Sequence, residues 1–169
     1  GGNSTHLFQR FRGQRLSVFL TEGIDVTSSH NVTITADKTL SEANFDEAEM
    51  LILPGGIPGT PNLRACDLLC EKLKEFAANG KKVAAVCAAP TVLGELGILA
   101  GKKATCYPSF ADKLATGDYV KQPVVTDGNV ITSRGMGTCI EFAGAIIEAL
   151  KDKATADAVK EAIIYNDVY

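Results

Sequence analysis

A chain of 169 residues, 46% hydrophobic and 22% charged, has the size and balance of one globular domain that can bury a core without covalent staples. Its net charge of -3 comes with no basic stripe, which argues against nucleic acid or an anionic membrane as partner, and no apolar run approaches the roughly 20 residues that cross a bilayer. Five cysteines without a framework spacing read as free thiols in a reducing cytoplasm, and two histidines far from any cysteine cluster argue against structural zinc.

No repeat, linker or low-complexity tract divides residues 1–169, which read as a single domain. Arg15–Leu20 reads as a strand, and Glu22-Gly23-Ile24-Asp25 as an acidic turn. Val32–Ala36 alternates with period two and reads as a second strand. Glu49–Leu53 is a short buried strand that stops at Pro54-Gly55-Gly56. Leu63–Ala78 has helical periodicity, with Cys66, Leu69, Cys70, Leu73 and Phe76 on one face. Lys82–Val86 is the next strand, and Thr91–Leu96 a helix ending near Gly97. Val124–Thr126 and Val130–Thr132 flank Asp127-Gly128-Asn129, a hairpin signal. Gly137–Leu150 carries a stripe of Cys139, Phe142, Ala143, Ile146, Ile147 and Leu150, and Ala154–Ile164 is a last helix. Strands alternating with helices predict an α/β sheet covered on both faces, with ligands at the carboxyl ends of the strands.

Cys87 falls at such an end, followed by Ala88-Ala89-Pro90. One reading makes it a small hydrophobe in the core, since cysteine is among the most buried residue types. The other makes it a nucleophile on a sharp strand-to-helix turn. Small neighbours permit such a turn, and Pro90 suits the first position of a helix. Amides of that helix would favour a thiolate and hold an oxyanion, with Pro54-Gly55-Gly56 as a second loop of donors.

Leu53-Pro54-Gly55-Gly56, Ala84–Pro90 and Thr132-Ser133-Arg134-Gly135-Met136-Gly137-Thr138 resemble, in order and separation, the signature segments of the ThiJ/PfpI superfamily. Within it they are most similar to the Parkinsonism-associated protein deglycase branch, from about Arg15 to about Ile164. The resemblance implies a flavodoxin-like three-layer α/β/α sandwich with a mostly parallel sheet, like class I glutamine amidotransferases. It implies a homodimer and a reactive, oxidisable Cys87. It also implies activity on methylglyoxal or glyoxal, free or as early protein adducts, without metal or organic cofactor.

The chain departs from that pattern in two places. The family's glutamate, on a turn after the first strand, has no clear counterpart. The chain reads as beginning near the first helix, with His6–Phe11 as its remnant and the first strand lacking or altered. Alternatively Arg15–Glu22 is itself that strand, and Glu22 or Asp25 the acid. Tyr107 stands where some members have a histidine, and a phenol with an ordinary pKa of about 10 is a poor base near neutral pH, which disfavours a peptidase.

The remaining candidates divide between pocket and packing. The resemblance brings the His30 loop toward the cysteine of the partner subunit, against a reading as a solvated loop histidine. Arg134 reads either as an anion-neutralising group or as half of a structural salt bridge. Cys66 and Cys70 read as core-face thiols rather than a metal or redox pair, Cys139 as core, and Cys106 as packing with secondary oxidation as its alternative. Lys72, Lys74, Lys81, Lys151 and Lys153 read as solvated surface charge. Three functions follow: a glyoxalase or deglycase using Cys87, a redox-responsive or chaperone-like protein that senses through it, and a non-catalytic module on an enzyme fold.

Overall fold

The computed structural model describes residues 19–20, 23–28 and 30–165. In chain order these form β1 (Phe19–Leu20), β2 (Asp25–Thr27), β3 (Thr33–Thr35), β4 (Lys38–Thr39), β5 (Met50–Leu53), α1 (Gly59–Arg64), α2 (Asp67–Ala78), β6 (Lys82–Val86), α3 (Pro90–Glu95), β7 (Lys103–Ala104), β8 (Asp118–Tyr119), β9 (Val124–Asp127), β10 (Val130–Ser133), α4 (Cys139–Leu150) and α5 (Lys153–Ala162).

Val83, Ala84 and Ala85 have no exposed surface, so β6 is buried on both faces, as an unbroken apolar run requires. It lies inside a four-stranded sheet of order β5-β6-β10-β9. Its neighbours β5 and β10 are both parallel to it, with Leu53 opposite Ala85 and Ser133 opposite Val86. β9 runs antiparallel to β10 through the tight turn at Gly128-Asn129, where Gly128 has φ 60°.

Alternate residues of each strand feed opposite layers. Val83, Ala85 and Val130 pack with Leu69, Leu73 and Phe76 of α2 and with Val92 and Leu93 of α3. Ala84, Val86 and Ile131 pack with Phe142 and Ile146 of α4. The result is the three-layer α/β/α sandwich that the sequence predicts, with a mostly parallel sheet. Among the described residues no helix is long and apolar enough to cross a membrane.

Several local expectations change. The helix expected over Leu63–Ala78 is two helices, because Cys66 takes an extended conformation (φ -87°, ψ 101°) and caps α2. Its buried face is still Leu69, Cys70, Leu73 and Phe76. α3 starts at Pro90, one residue earlier than expected, with the proline in the first turn where a missing N–H costs nothing. Of the strand expected over Arg15–Leu20, only Phe19–Leu20 lies within the described residues, paired parallel with β4. Asp25 is not a turn acid. It sits in β2, opposite Thr35 of β3, and its exposed carboxylate accepts a hydrogen bond from the Thr35 hydroxyl at 2.6 Å.

Lys81 is not idle surface charge either. Its ammonium donates to the carbonyls of Phe45, Asp46 and Ala48 at 3.3, 3.2 and 3.1 Å and lies 4.7 Å from the Phe76 ring centroid. It ties the loop before β5 to the start of β6. Lys72 pairs with Glu75 at 2.6 Å.

Candidate functional site

Cys87 ends β6 with φ 65°, a left-handed conformation that costs a non-glycine residue about 1–3 kcal/mol. The fold holds it there through both backbone groups. Its N–H donates to the Ser133 carbonyl at 3.0 Å, and its carbonyl accepts from the Tyr107 N–H at 2.8 Å. The Ala89 N–H closes the turn onto the Val86 carbonyl at 3.2 Å. The Ala88 carbonyl accepts from both the N–H and the hydroxyl of Thr91, at 3.1 and 2.7 Å. Ala88 and Ala89 are 1% and 0% exposed, so no larger side chain fits. Cys87 itself is only half-buried. A cysteine that merely filled the core would need neither the strain nor the opening.

α3 contributes less than the sequence suggests. It has six residues, Pro90 has no N–H, and the Thr91 and Val92 amides are engaged with the Ala88 and Ala89 carbonyls. The next amide along the chain is that of Ala88, whose nitrogen lies 3.1 Å from where a Cβ on Gly55 would stand.

Gly55 presses against this elbow. A Cβ at Gly55 would fall 2.5 Å from Cβ of Cys87, 2.6 Å from the Val86 carbonyl oxygen and 3.1 Å from the Ala88 nitrogen. Only a residue without a side chain permits that approach. Gly56 follows with φ 96°, and its carbonyl accepts from the Thr60 N–H at 2.8 Å. The Pro54-Gly55-Gly56 loop is therefore fixed beside Cys87 and the Ala88 amide.

On the other side, the Thr105 N–H donates to the Thr132 hydroxyl at 2.9 Å and brings Cys106-Tyr107 to the carboxyl end of β10. Tyr107 is 48% exposed, and its ring edge lies 3.5 Å from the point where a Cβ on Gly135 would stand. The Arg134 Nε is buried with no hydrogen-bond partner among the described residues, and no ion pair involving Arg134 is found among them. Its positive charge acts on Cys106. Ser133, which the sequence reading did not single out, joins the two halves. Its carbonyl takes the Cys87 N–H, and its hydroxyl bonds to the Thr138 hydroxyl at 2.7 Å. It lay unmarked inside the matching segment Thr132–Thr138.

His30 is exposed at the tip of the β2–β3 hairpin, which has its own small core of Val26, Ile34 and Ala36. Glu22 lies outside the described residues. No cluster of three or more His, Cys, Asp or Glu able to hold a metal occurs among the described residues. Cys70 donates its thiol to the Arg64 carbonyl at 3.2 Å, and Cys66 caps α2.

Burial pushes the Cys106 thiol up from 9.0 to about 11, with the Cys87 charge adding to the rise and Arg134 opposing it. The Cys139 thiol is also raised, by burial first and then by the Cys87 and Glu141 charges. A raised thiol keeps its proton in the folded state after the unfolded chain has lost it. Below about pH 9 both states are protonated and stability is full. As pH rises from about 9 through about 11 the unfolded state is favoured, by up to roughly 3 kcal/mol for Cys106. Urea denaturation across that range should show this loss, and Cys106→Ala should flatten it.

The DJ-1/PfpI family model matches residues 4–149. The chain belongs to the DJ-1/PfpI family. It is 40% identical over 144 residues to protein DJ-1 homolog A of Arabidopsis thaliana, covering 83% of this chain and 37% of that protein. The chain thus spans about a third of that relative's length. Oxidized Toxoplasma gondii DJ-1 superposes with a TM-score of 0.82 at 34% identity, over 90% of this chain and 83% of that one. A Caenorhabditis elegans protein named glutathione-independent glyoxalase DJR-1.2 is 37% identical over 128 residues, 75% of this chain and 68% of that protein. In this DJ-1/PfpI chain the elbow, the glycine loop and the Thr132–Thr138 segment converge at one end of the sheet.

Proposed function

We propose that this protein is a cysteine-dependent, cofactor-free cytoplasmic glyoxalase that acts on methylglyoxal or glyoxal and on their early adducts with proteins. The observation that carries the reading is Cys87 at φ 65°, half-exposed, with Gly55 closed against it. The glyoxalase-named relative from Caenorhabditis elegans supports it.

The Cys87 thiolate attacks the aldehyde carbon, and a C–S bond forms as the carbonyl electrons move to oxygen. The Ala88 N–H and the glycine amides of the Gly55-Gly56 loop stabilise that oxyanion, which becomes a hemithioacetal on protonation. A proton then leaves the former aldehyde carbon and another is added to the neighbouring carbon, turning the adduct into a thioester. Water cleaves the thioester, releasing the hydroxy acid and restoring the thiol. The sum is dicarbonyl plus water to hydroxy acid, with no outside oxidant. Tyr107 and Arg134 line the approach, and His30 reaches the site from a second copy in a homodimer, which light scattering would register as twice the chain mass.

The test is lactate formation from methylglyoxal by the parent chain and by Cys87→Ala. Lactate from the parent alone supports the reading, and lactate from both rejects it. If neither forms lactate while peroxide still oxidises Cys87, the second reading holds: a redox-responsive protein with little turnover. The oxidized state of the Toxoplasma gondii neighbour favours that alternative.

A further inference from the structure

We propose that Cys139 is the resolving thiol for Cys87: after a peroxide oxidises Cys87, the two close a reversible intramolecular disulfide. This rests on the reading of Cys87 as the reactive thiol, but the pairing is argued independently.

Cys139, Phe142 and Ile146 fall on one stripe of α4, at i, i+3 and i+7. Phe142 and Ile146 pack in the same layer as Val86, and Cys87 packs against that layer. Cys139 is one turn earlier on the helix, toward the carboxyl end of the strands, where Cys87 sits. A short run of contacts joins them. The Cys87 N–H is held by the Ser133 carbonyl at 3.0 Å, and the Cys139 thiol donates to the carbonyl of Gly135 at 3.5 Å, two residues further on. The Cys87 charge is felt at Cys139. Cys139 also lines an open cavity of about 340 Å³ with Met136, Gly137, Ile140, Glu141 and Tyr165, so its side of the pair is reachable by a reductant.

The other thiols are worse placed. Cys106 has no exposed surface and packs in the opposite layer with α2 and α3. Cys70 and Cys66 belong to α2 and its cap, on that opposite face.

The chemistry balances. The Cys87 thiolate attacks one peroxide oxygen, the O–O bond breaks, and sulfenic acid and hydroxide form. Sulfur gives up two electrons and peroxide takes them. The Cys139 thiol then gives up its proton as its sulfur attacks the Cys87 sulfur, the S–S bond forms, and the hydroxide leaving Cys87 takes that proton as water. A dithiol reductant reverses the bridge. Without a partner, a second peroxide gives one oxygen to the sulfenic sulfur and leaves as water, and the resulting sulfinic acid is not reversed by dithiols.

The experiment treats the full chain with two equivalents of hydrogen peroxide, blocks free thiols, and reads intact mass and a non-reducing peptide map. The expected result is loss of two hydrogens, a crosslinked pair of peptides containing Cys87 and Cys139, and full recovery with dithiothreitol. Cys139→Ser should instead accumulate Cys87 with two added oxygens, unaffected by dithiothreitol, while Cys106→Ser behaves like the parent. The parent map decides the matter even if a variant folds poorly. A crosslink to Cys106, or direct passage of Cys87 to sulfinic acid in the parent, overturns the pairing and leaves Cys87 reactive. No oxidation at Cys87 overturns the pairing and the reading beneath it.

Discussion

Cys87→Ala is expected to lower kcat/KM for methylglyoxal by about three orders of magnitude or more, roughly 4 kcal/mol of transition-state stabilisation, while the fold stays intact. The two effects separate because different groups cause them. Turnover needs the sulfur, which forms and breaks the bond. The fold needs the backbone at residue 87, held by the Ser133 carbonyl and the Tyr107 N–H, and alanine keeps both bonds. Alanine also carries the same demand for a positive φ, so its stability should lie within about 1 kcal/mol of the parent. Cys87→Gly refines the test. Glycine removes about 1–2 kcal/mol of steric cost at φ 65° and adds about 0.5–1 kcal/mol of backbone entropy. It should therefore be as inactive as Cys87→Ala but somewhat more stable in urea denaturation. If Cys87→Ala unfolds instead, the cysteine is a packing residue and the functional reading fails.

That contrast bears on what the sequence could reveal. The buried run Val83–Val86, the turn at Gly128-Asn129 and the α4 stripe were legible because each obeys a local rule of period or turn chemistry. The position of Cys87 at a strand end followed from those rules. Its strained φ did not, because nothing in Val86-Cys87-Ala88 prefers the left-handed region. Contacts from residues 107 and 133, distant in sequence, impose it. The break between α1 and α2 was hidden for a related reason: Leu69, Cys70, Leu73 and Phe76 continue a helical period that Leu63 and Cys66 also fit. Asp25 looked like a turn acid because β2 is three residues long and exposed at both ends, too little for an alternating pattern. The amides of α3 supply less than the sequence suggests, since a six-residue helix uses most of its first-turn donors on its own elbow. Cys139 reads as one more core residue of α4, and its place at the same end of the sheet as Cys87 becomes visible only in three dimensions.

Gly55→Ala is the sharper test of how the elbow works, because it leaves every reacting side chain in place. The added methyl would meet Cβ of Cys87 at 2.5 Å and the Val86 carbonyl at 2.6 Å, and both belong to a turn fixed by hydrogen bonds. The elbow cannot yield without losing its bond to Ser133 or Tyr107, so the Pro54–Gly56 loop must back away. The cost in stability should be about 1–3 kcal/mol, typical of forcing a methyl into a closed contact. The cost in catalysis should be larger and of a different kind. Displacing one preorganised oxyanion donor lowers kcat by about a hundredfold or more, since the charge it would hold exists only after the thiolate has attacked. KM should change little, and equimolar peroxide should still oxidise Cys87, because neither binding of a small dicarbonyl nor sulfur oxidation draws on that donor. A variant that keeps normal turnover would show that the glycine loop serves packing alone. Loss of turnover together with loss of peroxide reactivity would show that the methyl had disturbed the thiol itself. Loss of turnover with Cys87 still oxidisable is the expected result, and it would assign the loop to the oxyanion rather than to the nucleophile.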